Sequence, residues 1–229
     1  MCGRFTLRTE ASAIAEHFAV FGLGTFEPRF NIAPSQPILV VRLDSRQAMT
    51  QREIVALRWG LIPSWAKDVT VGNRLINARS ETAAEKPSFR AAMRRRRCLI
   101  PADGFYEWEK TSKGRRPYFI HHEDDKPFAF AGLWESWEGP DHLAVESCTV
   151  LTTEPNELIR PIHDRMPVIL SPDEYETWLD PADEDPSKVS HLLCPTKSDA
   201  MVMHRVDTWV NSPANDDLRC VEPAEGYLF

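Results

Sequence analysis

Cys2 follows Met1 directly in the opening Met-Cys-Gly-Arg-Phe run. Initiator methionine is trimmed when the next side chain is small, and cysteine qualifies, so the processed chain is expected to begin at Cys2. Its amine and thiol would then sit on one residue, two atoms apart. Such a 1,2-aminothiol attacks an aldehyde twice, first through nitrogen and then through sulfur, and closes a five-membered thiazolidine. Free α-amino groups titrate at roughly 7.7–8.0 and free thiols at about 8.5, so both are partly nucleophilic near neutral pH. The competing reading of Cys2 is a small buried hydrophobe with no chemical role.

Three further residues have side chains suited to proton traffic. Glu107 lies in Asp103-Gly104-Phe105-Tyr106-Glu107-Trp108, where the aromatic neighbours should raise a carboxyl pKa and suit it to acid–base work near neutrality. His163, in His163-Asp164-Arg165-Met166-Pro167, has an ordinary pKa of about 6.5 and can give or take a proton at physiological pH. Asn77, in Asn77-Ala78-Arg79-Ser80-Glu81-Thr82, both donates and accepts. Each has a structural alternative: an ion-paired surface strand residue for Glu107, a hydrogen-bonded structural histidine for His163, and a turn residue for Asn77. The five cysteines, at positions 2, 98, 148, 194 and 220, contain no CxxC pair. Neither a zinc site nor a disulfide framework is expected, which fits a reducing compartment.

These residues need a scaffold, and the rest of the chain reads as one. With 229 residues and 42% hydrophobic content, a core can form without staples. Ile38–Leu43 and Glu53–Trp59 read as strands joined by a hairpin loop over Asp44–Gln51, and Cys2–Leu7 as a short strand. Short apolar runs recur at Cys98–Ile100, Phe105–Trp108, Tyr118–His121, Phe128–Trp134, Val145–Thr152 and Val168–Leu170. Helices are expected over Thr9–Phe18 with Thr9 as N-cap, over Ser88–Arg96, over Pro172–Leu179 opened by Ser171, and around Pro186–Leu193. The tail from Asn211 reads as an irregular surface excursion. The expected fold is α+β: a single compact domain, residues 1–229, around a mainly antiparallel, barrel-like β-sheet with flanking helices. No window approaches 18 apolar residues and no export signal opens the chain, so no membrane span is expected and the cytoplasm is the default location.

Net charge is −7, but it is unevenly divided. Residues 1–120 carry 20 Lys and Arg against 11 Asp and Glu, a balance of +9, whereas residues 121–229 carry 7 against 23, a balance of −16. The basic half leaves room for phosphate binding. The run Arg94–Arg97 would be splayed around a helix and reads mostly as a solvated helix end.

Taken with Cys2-Gly3-Arg4-Phe5, Phe30-Asn31-Ile32-Ala33-Pro34 and Trp59-Gly60-Leu61-Ile62-Pro63-Ser64-Trp65, the motifs around Asn77, Glu107 and His163 resemble the SRAP family, the SOS response-associated peptidase domain proteins that shield abasic sites. The resemblance runs from Cys2 through at least Pro167. It implies a covalent thiazolidine between Cys2 and the ring-opened sugar of an abasic site in single-stranded DNA. It also implies an asparagine at Asn77 holding the Cys2 amine and the sugar, catalytic roles for Glu107 and His163, and a peptidase assignment. Around this centre Arg4, Arg79 and Arg165 would fork onto phosphates. Trp65 would stack on a base, with Asn31 and Pro34 completing the DNA-contact set; core packing is the alternative for Trp65. The expected partners are single-stranded DNA bearing an abasic site and proteins of the replication fork. A monomer associated with the nucleoid when on DNA is expected, with no cofactor and no metal. Two other functions fit the opening residues: an N-terminal-nucleophile amidotransferase, and a nucleic-acid binding module without catalysis.

Overall fold

The computed structural model describes residues 2–43, 51–140, 142–180, 182 and 184–224. The expected hairpin loop Asp44–Gln51 lies, apart from Gln51, outside the described residues. In chain order the strands are β1 (Phe5–Leu7), β2 (Arg29–Ile32), β3 (Pro37–Leu43), β4 (Arg52–Trp59), β5 (Asn77–Arg79), β6 (Arg97–Ala102) and β7 (Gly104–Thr111). They continue with β8 (Gly114–His122), β9 (Phe128–Glu138), β10 (Ala144–Thr153), β11 (Met166–Pro167), β12 (Ile169–Leu170) and β13 (Met201–Arg205). The α-helices are short: α1 (Ala11–Phe18), α2 (Ser80–Ala83), α3 (Arg90–Arg95) and α4 (Tyr175–Leu179).

Five strands close into a barrel in the order β10-β4-β3-β6-β9, with β9 returning to β10. Closure satisfies the backbone groups that an open edge would leave unpaired. The barrel is mixed, because β10 runs parallel to β4 and also takes β5 alongside in parallel register, Val150 opposite Asn77. The second sheet, β13-β8-β7-β1-β2, is antiparallel throughout. The expected α+β class with a barrel-like sheet is therefore what forms, as a barrel with a sheet packed beside it.

Aromatic rings join the two layers. Phe5 of β1 sets its edge against Trp59 and Phe130 of the barrel, at centroid distances of 5.2 and 5.7 Å, and Phe105 of β7 meets Phe130 at 6.0 Å. Burying such rings contributes about 2–3 kcal/mol each and fixes how the sheet lies on the barrel. Strand periodicity then sorts β7. Phe105 packs with the barrel core, while Tyr106 and Trp108 pack with Phe30, Phe119, Val210 and Cys220 on the other face. Glu107, between them, is turned toward the barrel side. Gly104 opens β7 because a Cβ there would lie 2.3 Å from the Phe119 ring.

Four local expectations change. Thr9 does not cap α1; Glu10 holds the cap position, and the Thr9 N–H and hydroxyl instead donate to Asp103 at 2.7 and 2.9 Å. The third helix is shorter, spanning Arg90–Arg95, and Arg97 is not solvated: only 5% exposed, it donates from Nε to the Trp178 carbonyl at 2.6 Å and from Nη1 to Met93 at 3.0 Å. The helix expected over Pro172–Leu179 begins as a 3-10 turn, Pro172–Glu174, before α4. The tail from Asn211 is stapled to β2 by Asn31 and by Asp216, which accepts from the Phe30 and Asn31 N–H groups.

Candidate active site at the amino-terminal cysteine

Cys2 enters the fold three residues before Phe5, the first residue of β1, and is fully buried. The Asn77 Nδ2 donates to the Cys2 carbonyl at 2.8 Å. That bond spans the two layers, since Asn77 opens β5 on the barrel and Cys2 leads into the second sheet. The Asn77 Oδ1 is buried with no hydrogen-bond partner among the described residues. A buried acceptor without a donor is costly, so this oxygen is a ready receiver for an N–H.

Glu107 is only 2% exposed, and burial pushes its carboxyl up to about 7. Near neutral pH it is therefore present in both acid and base forms. His163, in the loop between β10 and β11, places Nε2 3.7 Å from the Glu107 Oε2. Its Nδ1 lies 3.0 Å from the Arg165 backbone nitrogen and 3.1 Å from the Arg165 carbonyl oxygen, so either ring nitrogen can carry the neutral ring's proton. Burial pulls the His163 pKa below its ordinary value, favouring that neutral form. The Cys2 thiol is pushed far up, chiefly by burial and further by the Glu107 carboxylate, so in this setting it holds its proton. Cys2 with Asn77, and Glu107 with His163, are thus brought together as two adjoining pairs.

The proposed DNA-contact residues divide sharply. Arg79 is exposed at the end of β5, opposite Thr152 of β10; its guanidinium has no side-chain hydrogen bond or ion pair among the described residues, and its charge is felt by Glu81. Trp65 is 60% exposed and flanks a cavity of about 360 Å³ lined also by Pro63, Pro87 and Arg90, so its ring is not core packing. Pro34 is half-buried. Arg165 forks onto the Glu81 carboxylate at 2.6 and 2.9 Å and also donates to the Thr152 carbonyl. Arg4 is engaged within the fold, donating from Nη1 to the Asn31 Oδ1 at 2.8 Å and to the Val210 carbonyl at 2.9 Å. Asn31 corrects its expectation outright. It is fully buried, and its Nδ2 donates to the carbonyls of Val210, Ser212 and Asn215, so it offers no surface to a strand.

Two residues of consequence carry no distinctive sequence signal. Asp103, read only as part of an Asp-Gly turn, is 1% exposed and gathers the Thr6 hydroxyl at 2.6 Å and the N–H of Thr9, fixing the segment that follows Cys2. Glu81, within the Asn77 motif, holds Arg165. Among the described residues no group of three or more His, Cys, Asp or Glu could hold a metal ion, and no helix is long and apolar enough to cross a membrane.

Residues 1–213 match the family described as SOS response associated peptidase (SRAP). The chain belongs to the SRAP family. It is 45% identical over 226 residues to the abasic site processing protein YoqW of Bacillus subtilis, covering 97% of this chain and 99% of that protein. It is 43% identical to YoaM of the same organism, covering all of both. To the abasic site processing protein HMCES of Gallus gallus it is 33% identical, over 88% of this chain and 68% of the other. The SRAP fold is also seen in a solved protein of Bacteroides thetaiotaomicron, with TM-score 0.86 and 24% identity over 97% of this chain and all of the other. A solved protein of Bordetella bronchiseptica gives TM-score 0.76 at 26% identity, over 90% of this chain and all of that one. The SRAP match stops at residue 213, short of Asn215 and Asp216.

Proposed function

We propose that this SRAP chain captures abasic sites in single-stranded DNA as a covalent thiazolidine on Cys2, once Met1 has been removed. The observation that carries the reading is a carboxyl balanced at about 7, that of Glu107, buried beside a cysteine whose carbonyl is held by Asn77. The names of relatives at 43–45% identity, abasic site processing proteins, support the same substrate.

The chemistry proceeds in balanced steps. The Cys2 amine, accepted by the Asn77 Oδ1, adds to the C1′ aldehyde of the opened sugar and gives a carbinolamine. Protonated Glu107 hands its proton to the departing hydroxyl, and water leaves to form the protonated imine. The Cys2 sulfur then adds to the imine carbon as its proton passes to the Glu107 carboxylate, which restores the acid and leaves one hydrogen on the ring nitrogen. One water is released overall and nothing is oxidised or reduced. Reversal runs the same path backward, with protonated Glu107 acting on the ring. His163, when its neutral ring carries the proton on Nε2, would support the carboxylate form between transfers. Excision of Met1 is the peptidase step that the family description implies.

Arg79 would meet a backbone phosphate and Trp65 an unstacked base, worth about 1–3 kcal/mol and indifferent to sequence. Arg165 would reach phosphate only by exchanging Glu81 for it. Replication forks, where lesions lie in single strands, are the setting this chemistry suits, and a soluble monomer suffices for it.

The test is a denaturing gel after incubating the protein with single-stranded DNA carrying one abasic site. A covalent band that also appears as an adduct mass on the peptide beginning at Cys2 supports the reading. Retention of DNA only under native conditions would leave a binding module, and glutamine hydrolysis without an adduct would indicate an amidotransferase.

A further inference from the structure

The tail from Val206 to Pro223 grips the second sheet on the face opposite the candidate active site. The two ends of this segment pair with each other across a β-bridge, Val206 with Pro223. Between them, Val210, Cys220 and Val221 pack on Tyr106 and Phe119. Its polar contacts fall on residues that flank the reacting groups. Arg4, two residues from Cys2, donates to the carbonyls of Val210 and Asn211 at 2.9 and 3.2 Å. Trp108, next to Glu107, donates from Nε1 to the Asn211 Oδ1 at 2.8 Å. Tyr106, on the other side of Glu107, donates through its N–H to the Arg4 carbonyl at 3.0 Å and through its hydroxyl to the Phe30 carbonyl at 2.7 Å. Asn31 is the hub: one amide binds Arg4 and three carbonyls of the tail.

We propose that this tail is a positioning clasp, with Asn31 and Asn211 as its positioning residues, that holds the Cys2 and Glu107 segments at reacting distance from the far side of the sheet. This rests on the function proposed above. The register of β1 against β7 is short, only Phe5 opposite Phe105 and Thr6 opposite Gly104. Two paired residues leave the Cys2 end of its segment under-determined by that ladder, whereas Glu107 is fixed in mid-strand opposite Tyr118 of β8. The clasp supplies the missing constraints by holding the side chains that alternate with Phe5 and Glu107. Asn215 and Asp216, which complete its hold on β2, lie just past residue 213, where the family match ends. A displacement of even an ångström at a reacting pair costs rate without costing affinity.

The experiment compares Asn31→Asp, which keeps the acceptor for Arg4 but loses the donor to the tail, with the surface variant Asn211→Ala. Single-turnover adduct formation with abasic single-stranded DNA is followed against DNA concentration and pH. A clasp predicts a rate at saturating DNA about tenfold lower for Asn31→Asp, with a smaller loss for Asn211→Ala. The half-saturating DNA concentration stays within about twofold, and the limb near pH 7 moves to lower pH as water reaches Glu107. Asn211→Gln, which can still accept from Trp108, should restore part of the loss. Normal saturating rates and an unmoved pH limb in Asn211→Ala, or in a folded Asn31→Asp, overturn the clasp alone. Absence of any adduct with the unsubstituted protein overturns the proposed function and the clasp with it.

Discussion

His163 presents Nε2 to the Glu107 Oε2 at 3.7 Å, across the gap between the loop after β10 and the middle of β7. The two groups are shifted in opposite senses by the same cause. Burial raises the acid of Glu107 and lowers the base of His163, so both favour their neutral forms at pH values where solvated groups would be charged. A neutral imidazole facing a half-protonated carboxyl lets protons move with little change in buried charge.

That raised carboxyl makes a stability prediction with a definite sign. The folded state holds the Glu107 proton up to about 7, whereas an unfolded carboxyl loses it near 4.5. The group therefore contributes stability below about 4.5 that is lost as pH rises through 7, on the order of 3 kcal/mol if the whole shift is realised. Glu107→Gln should track the unsubstituted protein at acid pH and exceed it in chemical denaturation at pH 8. It should form adduct about a hundredfold more slowly. Equal unfolding free energies at both pH values would contradict the buried titration.

Cys2→Ser separates the two nucleophiles. Its amine still condenses with the aldehyde, but a hydroxyl closes the ring poorly. A Schiff base trapped by borohydride should persist, while the adduct that survives denaturation without reductant disappears. A denaturation-stable adduct in Cys2→Ser would mean that sulfur does not close the ring.

Trp65→Ala and Arg79→Ala address the strand and not the fold. Both side chains are exposed, so unfolding free energy should stay within about 0.5 kcal/mol. Trp65→Ala should weaken single-strand binding by about 1–3 kcal/mol at every sequence tried. Arg79→Ala should lower the slope of log affinity against log salt by about 0.7, the share of one phosphate contact on a single strand. An unchanged slope removes Arg79 from the interface.

Arg97→Met tests a structural residue that resembled surface charge. The guanidinium joins α3 to α4 by donating to the carbonyls of Met93, Trp178 and Asp180. Its loss leaves those buried acceptors unanswered, and about 2–4 kcal/mol of stability should go with them. A full-length protein with unaltered denaturation midpoint would show the carbonyls rehydrated at no cost.

Much of this fold is legible in short-range pattern. The β-branched run of β3 and the alternation of β4 set both strands to within a residue or two of their expected bounds, and the aromatic run of β7 announced a carboxyl among rings. What escaped depends on partners far away in sequence. The barrel is mixed because Ser147 lies opposite Arg58 in parallel, a pairing no local periodicity encodes. Thr9 has every attribute of a cap, but a carboxylate 94 residues on draws in the hydroxyl that would otherwise cap the helix. Arg165 reads as a phosphate fork until Glu81 is seen to fill the fork. At the site, residue types and motif order point to Cys2, Asn77, Glu107 and His163; the clasp behind them had no signature beyond a polar, Pro-rich tail.

The two-residue register that holds β1 to β7 has a consequence for synthesis. β1 pairs on one side with β2, the next strand in the chain, and on the other with a strand that begins only at Gly104. At about 5–20 residues per second, a ribosome needs on the order of 5–20 s to deliver that strand. Until then β1 lacks the strand that covers its second edge. On the proposed function, removal of Met1 by a separate aminopeptidase would fall in that interval, before folding buries Cys2, whereas self-excision would follow it.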